Sequence, residues 1–144
     1  MDKAEQVVKE KWRQLYYNLS NETYLPLAWL APLVLKMQQR PRIGQLFPVT
    51  SHADLGLSRT TQYPYSLDCP HVEAVGSGQF RVYGVTPRRV VKEVKGRIWH
   101  VAEYDIIGVG DADEAIAWIE AGLPQLSGPA IDGNIYDLQR IETP

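Results

Sequence analysis

The chain is poor in the residues that staple small proteins or hold metals. One cysteine, Cys69, stands among 144 residues. That count excludes an internal disulfide, and a lone thiol fits a reducing cytoplasm better than secretion. Only three histidines occur, His52, His71 and His100. Cys69 and His71 with one further histidine could supply three zinc ligands, but zinc sites present paired ligands at recognisable spacing. No metal and no cofactor is therefore expected. Long apolar runs are also missing. Leu25–Val34 is interrupted by Pro26 and Pro32 and falls short of the roughly 20 residues that span a bilayer. The start, MDKAEQVVKEKWRQ, is charged and lacks the apolar stretch of a signal peptide. These absences predict a cytoplasmic protein with no membrane partner. There is no internal repeat, no low-complexity tract and no Gly-x-Ser-x-Gly elbow.

What is present suits one globular domain over residues 1–144. A chain of this length buries roughly two-thirds of its unfolded surface and folds without staples. Hydrophobic content is 44% and charge 22%, with a net charge of −2. The charge is uneven: +1 over residues 1–39, +5 over 40–97 and −8 over 98–144. Either the segments neutralise one another in the fold, or the asymmetry marks a partner-facing dipole.

Ala4, Val8, Trp12, Leu15, Tyr16 and Leu19 recur at helical spacing and predict a helix over 3–19. A second, Leu-rich helical region follows, with a break between Ala31 and Pro32 and a new helix over 32–39. Arg40-Pro41 ends it. Alternation of Ala53, Leu55 and Leu57 with Asp54, Gly56 and Ser58 predicts a strand over 52–60. Residues 70–75 and 79–84 form a hairpin around Gly76-Ser77-Gly78. Thr86-Pro87 reads as a turn, followed by strands through Val90–Val94 and Ile98–Tyr104, with Ile106–Val109 extending the last. Asp111 and Glu114 have capping-box spacing, and Gly122 and Pro124 stop the helix they begin. Residues 125–144 read as a wrapping tail. A helical N-terminal segment (residues 1–39), a sheet (46–109), a helix (111–122) and the tail together predict an α+β fold. Its antiparallel sheet has about 4–6 strands, with N-terminal helices and one C-terminal helix.

Chemistry-bearing side chains concentrate in Leu46–Glu73. The strand expected over 52–60 puts His52, Asp54, Ser58 and Thr60 on one face. Arg59 ends the opposite, apolar face, where its planar fork suits a carboxylate or phosphate unless Asp54, Asp68 or Glu73 pairs with it. Tyr63-Pro64-Tyr65 places two rings beside it, either framing a flat ligand or packing as a corner. Ser51, His52 and Asp54 are triad residue types, but neighbours on a strand point to opposite faces. Arg88, Arg89, Lys92, Lys95 and Arg97 read as a charged edge hairpin rather than a nucleic-acid surface.

The run Phe47-Pro48-x-Thr50-Ser51-His52, then Leu55, Ser58-Arg59 and Tyr63-Pro64-Tyr65, resembles the signature of an uncharacterised bacterial family labelled natural product biosynthesis protein. Gly78–Val82 and the Asp-Glu-Ala-Ile-Ala helix ending in Leu-Pro also fit, so the resemblance covers about residues 28–131. It implies a place near specialised-metabolite pathways and names no activity, fold or catalytic residue. Three readings stay open. The first is an accessory or ligand-binding protein of such a pathway, using His52, Ser58, Arg59, Tyr63 and Tyr65 toward a small-molecule partner. The second is an interaction module that masks a protein partner, in the manner of an immunity protein. The third is a small acid–base enzyme using the 46–65 site.

Overall fold

The computed structural model describes residues 2–125 and 128–143; the side chains of residues 86–89, including Arg88 and Arg89 of the basic run, lie outside the described residues. Helix α1 (Lys3–Ser20) starts where the Asp2 side chain accepts from the Glu5 N–H at 2.8 Å. It buries Val8, Trp12, Leu15 and Leu19, the stripe its spacing predicts. A short α2 (Leu25–Ala28) and α3 (Ala31–Gln38) follow, with Pro32 in the first turn of α3, where its missing N–H costs no helix bond.

Five strands then form one antiparallel sheet in sequence order: β1 (Phe47–Ser51), β2 (Asp54–Ser58), β3 (His71–Gly76), β4 (Gln79–Val94) and β5 (Arg97–Gly110). Helix α4 (Ala112–Ala121) carries the full capping box, Asp111 with Glu114. The fold is α+β. Leu55, Leu57, Val72, Ala74, Phe80 and Val82 point to one face of the sheet and join Trp12, Leu33, Met37, Ile116 and Ile119 in a single core. Trp12 is pinned there by its indole N–H, which donates to the Leu46 carbonyl at 2.9 Å. Gly108 of β5 lies flat beneath Trp118 of α4: a Cβ there would meet the ring at 2.6 Å.

The structure departs from the expected elements in three places. Residues 52–60 are not one strand. Phe47–Ser51 is itself a strand, and His52-Ala53 is the two-residue turn between β1 and β2, with His52 at φ 56°. Pro48 hides β1 in the sequence; as an edge strand it tolerates a residue without an N–H. Thr86-Pro87 is not a turn, because β4 runs through it. There β4 has already lost β3 as a neighbour, its last pairing being His71 with Tyr83, so a proline breaks no ladder on that side. The tail is a strap that ends in a second C-terminal helix, α5 (Ile135–Glu142). Ile131 and Gly133 accept from the Thr61 and Gln62 N–H groups, and Ile131 donates to the Arg59 carbonyl, so the strap runs beside the segment leaving β2.

Candidate functional site

The sheet face away from the core carries the polar residues of the alternation. Register aligns Ser51, Asp54, Glu73 and Arg81 in one row across β1–β4, since each is paired with the next. His71 and Tyr83 form the neighbouring pair. Glu73 is held by two donors: Arg81 Nη1 at 2.9 Å and the Tyr83 hydroxyl. Asp54 faces His71, with Oδ2 and Nε2 3.8 Å apart. The imidazole stacks on the Tyr83 ring at 4.8 Å and meets the Tyr104 ring edge-on at 4.7 Å.

This packing sets the protonation of the pair. Burial pushes the His71 pKa down, and the attraction of Asp54 and Glu73 only partly offsets it. Burial likewise raises the Asp54 carboxyl; the charge of His71 pulls the other way and Glu73 adds to the rise. The result is a neutral imidazole near pH 7 beside a carboxylate that is easier to protonate than usual.

Over this face folds the segment 59–70. Its anchor is a buried hydroxyl cluster: Ser58 Oγ lies 2.9 Å from Thr60 Oγ1 and accepts from the Thr60 and Ser66 N–H groups. Ser66 Oγ in turn accepts from the Arg59 N–H at 2.7 Å. Between segment and sheet lies a cavity of about 290 Å³. Its walls are mostly apolar, with Val49, Leu67 and Val85 beside the rings of Tyr65 and Tyr104; its polar groups are Ser51, Asp54, Ser58, Ser66, Cys69 and His71.

Of the residues singled out in the sequence, Ser58 and Tyr65 line this cavity and His52, Arg59 and Tyr63 do not. Ser58 is saturated by its own segment, so it builds the wall rather than offering a free hydroxyl. Tyr65 stacks on Phe47 at 5.9 Å. Tyr63 is 79% exposed and meets Tyr65 edge-on. His52 sits on the exposed hairpin turn and does not share a face with Asp54. Arg59 is closed by partners. Its Nε donates to Asp68 Oδ2 at 2.8 Å, Nη2 donates to the same oxygen, and Nη1 donates to Glu142. Burial works against its charge, but these hydrogen bonds outweigh it and raise its pKa. The guanidinium is thus architectural, the alternative that its acidic neighbours in the sequence leave open. Cys69 is buried, its thiol pushed up to about 12 by burial and by Asp68, which leaves it unreactive at neutral pH.

His71, Glu73 and Tyr83 are the site residues that sequence reasoning misses. The available signal is the alternation His71-Val72-Glu73-Ala74 on β3, which puts both polar groups on the face away from Val72. Among the described residues no group of three or more His, Cys, Asp or Glu side chains is placed to hold a metal ion, and no helix is long and apolar enough to cross a membrane.

The chain belongs to the DUF6193 family of unknown function, whose model matches residues 6–134. No curated protein and no solved structure matches it.

Proposed function

We propose that this chain binds a small molecule in the cavity beneath segment 59–70, as an accessory protein of specialised-metabolite biosynthesis in a bacterial cytoplasm. The observation that carries the reading is the cavity itself: a mostly apolar recess with a few convergent polar groups is the usual form of a ligand site. The motif resemblance supports the pathway, and the single cysteine supports the compartment.

The lining also constrains the ligand. With Arg59 turned into its own ion pairs, no cationic side chain among the described residues lines the cavity, and Asp54 supplies a carboxylate. An anionic head group would meet repulsion without a counter-charge. The ligand is therefore a small molecule with an apolar or aromatic body and a hydrogen-bond-donating or cationic head, directed at Asp54 and His71. Backbone NMR titrations with benzamidine, benzamide and benzoate test this. Benzamidine and benzamide should shift the amides of Asp54, Gly56, Leu67 and His71, and His71→Leu should weaken them; benzoate should not. Benzoate binding there, or silence to all three and to a wider panel of aromatic amines and amides, would overturn the reading.

A second reading is favoured by one observation: a neutral His71 next to a carboxylate in a cavity is equipped for acid–base work. If so, His71→Gln would keep ligand binding and abolish turnover. If the protein only binds, no turnover accompanies binding in the parent chain.

A further inference from the structure

The two edges of the sheet are built differently. Edge strand β1 has five residues and contains Pro48, both devices that discourage pairing with another chain. Edge strand β5 has 14 residues, no proline and only one lysine or arginine, Arg97. Past Tyr83 the β4–β5 pair also loses β3, so it leaves the body of the sheet as a two-stranded arm. Such a ribbon alone is marginal in water. Yet this one exposes large apolar side chains, Ile98 at 68% and Trp99 at 51%, and Ile106 at 56% continues the strand where the arm joins the sheet. Exposure on that scale along one strand marks an interaction surface.

The turn at the tip fixes which backbone groups face outward. Lys95 and Gly96, at φ 52° and 74°, form a two-residue turn of the kind that matches strand twist. Val94 and Arg97, the pair flanking it, are then a hydrogen-bonded pair. It follows that Ile98, His100, Ala102 and Tyr104 turn their N–H and C=O groups away from β4, toward a further strand.

We infer that this further strand is β5 of a second copy of the chain, antiparallel about a twofold axis at Val101. The argument is complementarity within β5. Its start is basic, with Arg97, and its middle is acidic, with Asp105 beside Glu103, which Lys92 of the same chain already pairs. Antiparallel self-pairing about Val101 sets Arg97 against the Asp105 of the other copy and Ile98 against its Tyr104. His100 meets Ala102, and Val101 meets itself. The outward-facing residues thus pair with one another, which is the parity a ladder needs. A parallel arrangement would set like charges side by side. The product is a closed dimer with a ten-stranded sheet, and closure removes the one unguarded edge.

Sedimentation velocity on the full chain over a dilution series tests the proposal. The parent chain should approach twice its monomer mass. Ala102→Pro removes one outward N–H and should return the mass to a single chain with an unchanged circular dichroism spectrum. Should that variant misfold, charge exchange serves instead: Arg97→Asp should abolish the dimer, and adding Asp105→Arg should restore it. Val101→Cys should cross-link to its own copy on mild oxidation, because directly opposed residues of a non-hydrogen-bonded pair lie within disulfide reach, whereas Trp99→Cys should not. A parent chain that stays monomeric leaves the edge to some other partner and overturns the inference. So does a dimer that survives Ala102→Pro or is indifferent to the charge exchange, or one in which Val101→Cys fails to cross-link.

Discussion

A proton on His71 would sit between two tyrosine rings and inside a partly buried pocket, and that placement makes stability depend on pH. Its pKa in the fold is below the ordinary value of 6.5, so the unfolded chain takes up the proton first as pH falls. The stabilising contribution of the neutral ring is complete above 6.5 and is lost progressively as pH drops toward the lowered value. Asp54 has the opposite sign. Its raised pKa makes the folded state the better proton binder, so its contribution is complete below 3.8 and is lost as pH rises through the folded value. The two act in opposite directions as pH falls, so of the pair it is His71 that lowers stability below neutrality. Urea midpoints should fall between pH 7 and pH 5.5 in the parent chain, and His71→Gln, which cannot titrate, should flatten that fall. An equal slope in both proteins would remove His71 as the cause. Nothing local in the sequence gives this away. A histidine after Cys69-Pro70 looks ordinary until β2, β3 and β4 are in register and bring Asp54, Glu73 and Tyr83 around it.

Helix α4 shows how far local sequence reaches at the next scale. Asp111 accepts from the Glu114 N–H at 2.9 Å, and Glu114 accepts from the Asp111 N–H at 3.2 Å. Asp111→Ala should therefore lower unfolding stability by about 1 kcal/mol, the usual cost of a lost cap. A urea midpoint that does not move would show that core burial of Ile116 and Ile119 alone sets the start of the helix. Elements of this kind are legible because their signals lie within a few residues: the stripe on α1, Pro32 opening α3, and Gly76-Ser77-Gly78 between β3 and β4. The β1–β2 hairpin is hard to read because its turn, His52-Ala53, has neither the Gly nor the Asn that a two-residue turn usually announces. Misplacing that turn puts His52 on the face of Asp54 and Ser58, and the expected site follows it. Helix α5 is obscured by the glycines and prolines of the tail. Its own signal is present all the same: Asn134 and Asp137 form a capping box like that of α4.

Across the whole molecule, the uneven charge of the sequence is drawn together by the fold. Basic residues of the first two segments meet acids of the last: Lys36 with Asp113, Arg40 with Glu120, Lys3 with Asp132 and Arg59 with Glu142. Most of these pairs are exposed and contribute under about 1 kcal/mol each. Arg59 differs. Its side chain is only 14% exposed, and it joins two separate segments, Asp68 of the segment covering the cavity and Glu142 of α5. Lysine keeps the charge but lacks the fork, so it cannot serve both carboxylates in these positions. Arg59→Lys should cost about 1–2 kcal/mol, the low end for hydrogen bonds to charged groups because Glu142 is half exposed. The loss should fall on particular places. Hydrogen exchange should speed up in α5 and in the strap at Ile131, whose N–H donates to the Arg59 carbonyl, while β3 stays protected. Binding of benzamidine or benzamide in the cavity should be unchanged, since Arg59 does not line it. A variant with parent stability and lost binding would instead make this arginine a ligand contact, and would reopen the cavity to anionic molecules.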